Sequence, residues 1–217
     1  MNLVLICLLL GILLNFFLSP LPHSLIFFSL SLLDLRALLP KESLLNDSAP
    51  QTFKTYNEDQ MIQVEVNGNK ALISKYSEVG HNEYVDAANK QAFSFDHIRQ
   101  EVSNVHGTSV STNSLRDGLE QEIIKYTRDH YPCGTSGVYL KGSDVFICIS
   151  AARFNNQNFW NGRWRSVWKV SGGKVTGRIR VNVHYFEDGN VQLITEANKS
   201  INAGSVSFLF NLIFLDP

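Results

Sequence analysis

His130, His184, Glu187 and Asp188 are residues whose types could carry proton transfer, and the six histidines of the 217-residue chain could in principle hold a metal. Acid/base chemistry needs two such groups brought together with tuned pKa values, and a metal needs donors at ligand spacing. The spacing supplies neither. No His-Glu-x-x-His, no paired cysteines and no phosphate-cradling glycine loop occur, and Gly172-Gly173-Lys174 lacks the rest of a P-loop. Cys7, Cys133 and Cys148 are an odd, scattered set that suits neither a disulfide framework nor zinc. Cys148 lies between Ile147 and Ile149 in an apolar run, where a thiol is buried and inert. His184 is one position of an alternating segment and reads as a structural histidine. The expectation is a non-enzymatic protein without a cofactor.

Charge is the second chemistry on offer. From Val145 to Phe186 there are seven Lys or Arg and no Asp or Glu, although the whole chain carries a formal net charge of -1. Arg163, Arg165, Lys169, Arg178 and Arg180 are the basic surface candidates. Two readings stand: a sheet face paired with acidic residues elsewhere, or a docking surface for acidic protein or anionic lipid. Trp160, Trp164 and Trp168 interleave with these arginines, as a base-stacking surface would. The tryptophans share the apolar parity, however, and the arginines lie opposite. Core packing is therefore the reading taken, and no nucleic acid is expected as partner.

The positions of these groups are set by strands. From Val175 to Tyr185 the residue types alternate with period two: Val175, Ile179, Val181, Val183 and Tyr185 on one side, Thr176, Arg178, Arg180, Asn182 and His184 on the other. Trp164, Ser166, Trp168 and Val170 hold the same parity one strand earlier. Gly172-Gly173 joins the two as a tight hairpin, and Asp188-Gly189 turns the chain back through Val191, Leu193 and Thr195. Val138 to Leu140 and Val145 to Ile149 pair across Gly142-Ser143, which completes five antiparallel strands. Upstream, Ile62 to Val66 and Ala71 to Ile73 flank the hairpin signal Asn67-Gly68-Asn69, and Gln91 to Phe95 reads as a strand. Asp34 to Asn57 is helical in pieces broken at Pro40 and Pro50. Asn104 to Asn113 is a polar loop. Ser114 caps a helix running to about His130, with Leu115, Leu119 and Ile123 on its apolar stripe and Arg116, Glu120, Gln121 and Arg128 away from it.

The string Val183-His184-Tyr185-Phe186-Glu187-Asp188-Gly189-Asn190-Val191, with Asn158-Phe159-Trp160-Asn161-Gly162-Arg163-Trp164-Arg165-Ser166 upstream, resembles the alpha subunit of the heterodimeric F-actin capping protein. The nine-residue string matches a signature of that family without a departure. Tyr76-Ser77-Glu78, Asn82-Glu83-Tyr84, Phe95-Asp96-His97 and Ile149-Ser150-Ala151-Ala152-Arg153 also look like family text. The resemblance runs from about Asp34 to Ser200. The fold class expected is α+β, an antiparallel meander with an N-terminal helical segment and one central helix, and the resemblance implies that each subunit contributes an antiparallel sheet to a dimer core shared with a beta subunit. It further implies binding of the heterodimer to filament barbed ends, blocking subunit exchange, in the cytoplasm and actin cytoskeleton.

Both ends depart from that pattern. Residues 1–33 form a hydrophobic leader without a basic flank, Leu3 to Leu14 and Leu25 to Leu33 being its apolar runs. A translated intron end and a targeting segment both account for it. Residues 201–217 form a hydrophobic tail in place of the long helix and C-terminal arm the resemblance implies, so the chain as written is expected to cap weakly or not at all, even beside its partner. The alternatives are a membrane-anchored or secretory-pathway protein, if the leader is genuine, and a nucleic-acid-binding sheet protein.

Overall fold

The computed structural model describes residues 42–155, 160–185 and 191–202. The chain divides into two compact units, Met1–Tyr56 with Asp96–Glu101, and Asn57–Phe95 with Val102–Pro217. In the first, helix α1 (Glu42–Gln60) begins and then runs on into the second. Pro50 lies inside α1 without ending it, which corrects the expectation of a break there. A proline forfeits only its own N–H bond and strains one turn. The helix runs on past it to Gln60, and the Thr55 hydroxyl also donates to the Gln51 carbonyl at 2.9 Å.

The second unit is built on a five-stranded antiparallel sheet in the order β11-β10-β9-β8-β7. Its strands are β7 (Thr135–Lys141), β8 (Asp144–Asn155), β9 (Trp160–Ser171), β10 (Lys174–Tyr185) and β11 (Val191–Asn202). Neighbours in space are neighbours in sequence, so this is the meander expected from the alternation. Gly172 and Gly173 carry φ of 55° and 75°, and Ser171 pairs directly with Lys174 across them. Such a two-residue turn needs positive φ at both positions. The Asp188-Gly189 turn lies outside the described residues, although Tyr185 and Val191 pair on either side of it.

Helix α2 (Ser114–His130) covers one sheet face. Leu119 and Ile123 are buried against Val138, Val145, Ile147, Ile149, Trp168, Val170 and Val175, with Leu115 and Trp164 packed beside them. Trp168 and Trp164 are therefore core residues, as their parity required, and Trp164 stacks on Tyr131 with centroids 5.8 Å apart. Trp160 belongs to β9, but its side chain lies outside what is described. The helix cap is Asn113, whose side chain accepts from the Arg116 N–H at 2.8 Å, so the cap sits one residue before Ser114. Arg116 was expected to face away and is instead buried. Its guanidinium donates to the Val138 carbonyl at 3.1 Å and pairs with Asp117 and Glu120. Those partners satisfy the charge, which is the condition for an arginine to be buried.

The other face is covered as well. Tyr139 and Cys148 point there and pack with Met61, Leu72, Val85 and Ala87. Met61 directly follows α1, Leu72 ends the hairpin of β1 (Gln63–Val66) and β2 (Asn69–Leu72), and Val85 and Ala87 lie in and just past one strand of a four-stranded sheet. Asn67 and Gly68, with φ of 50° and 80°, make the hairpin turn. The four-stranded sheet runs β3-β4-β5-β6, with β3 Glu78–Gly80, β4 Glu83–Asp86, β5 Gln91–Asp96 and β6 Glu101–Gly107. Its core joins Tyr84, Phe93 and Phe95 to Val66, Ala71 and Ile73. β6 occupies part of what the polar composition marked as a loop. It is an edge strand, mostly exposed, and only Val102 and Val105 touch the core, so its sequence has little reason to alternate strongly.

Candidate protein-interaction edge

Strand β11 lies at the edge of the five-stranded sheet. Its twelve residues pair with β10 from Tyr185↔Val191 to Lys174↔Asn202. None belongs to the buried core, and every side chain but the half-buried Ile201 is exposed. Five large hydrophobic residues are exposed among the described residues, and three of them are here: Val191 at 62%, Leu193 at 56% and Ile194 at 70%. The register places Val191 and Leu193 on the face of Tyr185 and Val183, and Ile194 on the opposite face. One end of a long edge strand is thus apolar on both sides, and among the described residues no strand pairs with its outer edge. Protein edges usually avoid that combination.

The described residues of the family-like string lie at this end. Val183, His184 and Tyr185 are half-buried near the end of β10, opposite Leu193, Gln192 and Val191. Phe186, Glu187, Asp188, Gly189 and Asn190 lie outside the described residues. His130, the other histidine weighed for acid/base work, is at the end of α2, where its Nδ1 meets the Tyr126 carbonyl at 3.0 Å and its ring stacks on Tyr126. Among the described residues no cluster of His, Cys, Asp and Glu could hold a metal. Burial pushes the Cys148 thiol up to about 12, so the thiolate needed for reactivity does not form near neutral pH.

Register also explains the basic stretch. Thr135, Ser150, Arg165, Arg180 and Glu196 follow one another across all five strands on one face. Arg165 and Arg180 are directly opposite, a like-charge pairing that opposes the fold. Asp59, in the last turn of α1, meets Arg180 with two bonds of 2.6 and 2.9 Å. Burial works to raise the Asp59 pKa, but the Arg180 hydrogen bonds and the charges of Arg180, Arg165 and Arg178 outweigh it, holding the carboxyl below its ordinary value. On the other flank Glu196 accepts two bonds of 2.6 Å from Arg178 and lies 3.5 Å from Arg180 Nε. The Arg178 hydrogen bonds, with both arginine charges, lower its pKa. Lys169 pairs with Asp144 at 2.7 Å, and Arg163 is half-buried opposite Asn182.

The comparisons with known proteins bear on this arrangement. The family model described as F-actin capping protein alpha subunit matches residues 28–208. The chain belongs to the F-actin capping protein alpha subunit family. It is 44% identical over 186 residues to the F-actin-capping protein subunit alpha of Dictyostelium discoideum, covering 79% of this chain and 66% of that protein. The corresponding figures are 35% identity, 74% and 62% for the Caenorhabditis elegans subunit, and 34%, 74% and 60% for that of Arabidopsis thaliana. The chain thus spans slightly less than two thirds of the length of these relatives. A solved structure, that of the homodimeric actin capping protein alpha subunit from Plasmodium berghei, shares the fold with a TM-score of 0.70 at 22% identity, over 86% of this chain and 78% of that one.

This is a cytoskeletal, structural, actin-associated family. Among the described residues, no helix is long and apolar enough to cross a membrane. Asp59 and Glu196, which hold the arginine row, were not singled out from the sequence. Their signal was a surplus of strand arginines that needed counter-charges, but which carboxylates supply them depends on strand register and on contacts spanning 121 residues.

Proposed function

We propose that this chain acts as the alpha subunit of a heterodimeric F-actin capping protein. It pairs with a beta subunit along β11, and the heterodimer binds filament barbed ends in the cytoplasm and blocks subunit exchange there. The observation that carries the pairing is the β11 edge, twelve residues long and apolar on both faces at its Val191 end. Covering each of Val191, Leu193 and Ile194 is worth about 1 to 2 kcal/mol, taking part of the roughly 1.5 to 3 kcal/mol of a full burial. The names of the relatives support the actin reading. The pairing of Lys169, Arg178 and Arg180 with carboxylates of this chain supports a role for them in holding the sheet. Their field contributes to steering toward acidic actin or an anionic lipid surface more than to the lifetime of a complex.

The test is elongation of actin from filament seeds, using this chain co-expressed with a beta subunit. The complex slows growth at barbed ends and leaves pointed-end growth unchanged. Unchanged barbed-end growth at every concentration of a well-formed complex would refute capping by this chain. The Plasmodium berghei subunit is described as homodimeric, so a complex of two copies of this chain, unaffected by the beta subunit, would refute the heterodimer instead.

A further inference from the structure

We propose that Asp59 controls how firmly the edge strand β11 is held: through Arg180, the carboxylate at the end of α1 sets the position of Glu196 and so the middle of the edge. The inference concerns a coupling inside this chain and holds whichever partner covers the edge.

Three observations carry it. First, β11 adds no residue to the buried core. Within the described chain its attachment is the ladder to β10 and the side-chain pairs from Glu196 to Arg178 and Arg180. Second, Arg180 stands between Arg165 and Glu196 in the cross-strand row, with Asp59 bonded to both of its terminal nitrogens. Two guanidinium groups, Arg178 and Arg180, therefore bond these two carboxylates, and the charge of Arg165 acts on Asp59 as well. Third, the Arg165 side is closed: Arg165 is 4% exposed, and the Arg180 side chain only 22%. With Asp59 neutral, Arg180 repels Arg165 across a partly buried interface and has Glu196 as its remaining carboxylate in this group. Drawing on Glu196 competes with the Arg178 bonds that fix it, and the strain falls on β11, the strand without core contacts.

The test is hydrogen exchange followed by mass spectrometry on the 217-residue chain, in whichever state it purifies, with variants compared in that same state. Asp59→Asn keeps the side-chain shape and removes the charge. Exchange across residues 192–200 accelerates about five- to tenfold, while residues 145–150 of β8 keep their protection. Glu196→Gln gives the same selective effect, and the double variant adds little to either single one, since both break one chain of contacts. Asp144→Asn, which breaks the Lys169 pair on the same sheet, leaves β11 unchanged. The proposal is overturned if Asp59→Asn leaves β11 exchange as it was, if β8 and β11 accelerate together, or if Asp144→Asn loosens β11 equally.

Discussion

Arg180 meets three charges at once, Arg165 across β9, Glu196 across β11 and Asp59 at the end of α1, and the acid behaviour of the protein follows from that. Asp59 and Glu196 have folded-state pKa values below their ordinary ones. Their contribution to stability is therefore complete above the unfolded values of roughly 3.9 and 4.3, and is lost as pH falls through the lowered folded values. Asp144, lowered by its bonds from Lys169 and Ser171, adds the same sign. Melting temperature should hold steady down to about pH 4.5 and fall below it, and Asp59→Asn should flatten that fall. A fall of the same steepness in the variant would show that Asp59 is not part of it. The Trp168 site gives a second residue-scale expectation. A Cβ on Gly177, which pairs with Trp168, would lie 2.0 Å from the indole Cε3. Gly177→Ala should cost about 1 to 3 kcal/mol by overpacking, and Trp168→Ala about 3 to 5 kcal/mol. Denaturant melts in a common complex would measure both. The tryptophan was legible as core from parity alone, but the need for glycine opposite it depends on a register no single strand reveals.

At the scale of elements, β7 to β10 were readable because each has one face committed to the α2 core and the β7–β8 and β9–β10 turns carry glycines at positive φ. What escaped the sequence were elements whose residues answer to neighbours rather than to a periodicity. β3 and β4 are only three and four residues long, too short for an alternation to show, and β6 is polar because it lies at an edge. A buried turn ties them in: the Ser77 hydroxyl donates to the Leu72 carbonyl at 2.8 Å and meets the Ser74 hydroxyl at 3.1 Å. Arg116 was misplaced for the same reason, because a helical wheel shows where an arginine points but not that the Val138 carbonyl, Asp117 and Glu120 await it. The cap of α2 makes the element-scale prediction. Asn113→Ala leaves the Arg116 N–H without its partner and should cost about 1 kcal/mol. Ser114→Ala should cost less, since that residue is already helical. Thermal melts of the two variants side by side decide between the caps, and equal losses would contradict the assignment.

For the molecule as a whole, the meander and the nine-residue string led to the family, and the fold agrees with it. The sequence could not show that Val183, His184 and Tyr185 lie at the end of the sheet where Val191, Leu193 and Ile194 are exposed, since exposure of an edge strand is a property of the assembled sheet. The account rests most heavily on β11 as the pairing edge for a beta subunit. Leu193→Asp with Ile194→Asp puts charge at two positions more than half exposed, so the chain's own fold should be unaffected while pairing with the partner is lost. The direct measurement is the mass of the complex by light scattering after co-expression with a beta subunit, together with hydrogen exchange across residues 191–202. A one-to-one heterodimer, β11 amides that slow by at least about tenfold relative to the free chain, and loss of both effects in the double variant are the predicted results. A heterodimer that forms equally well with the double variant, or one in which β11 exchanges as fast as in the free chain, would contradict the account.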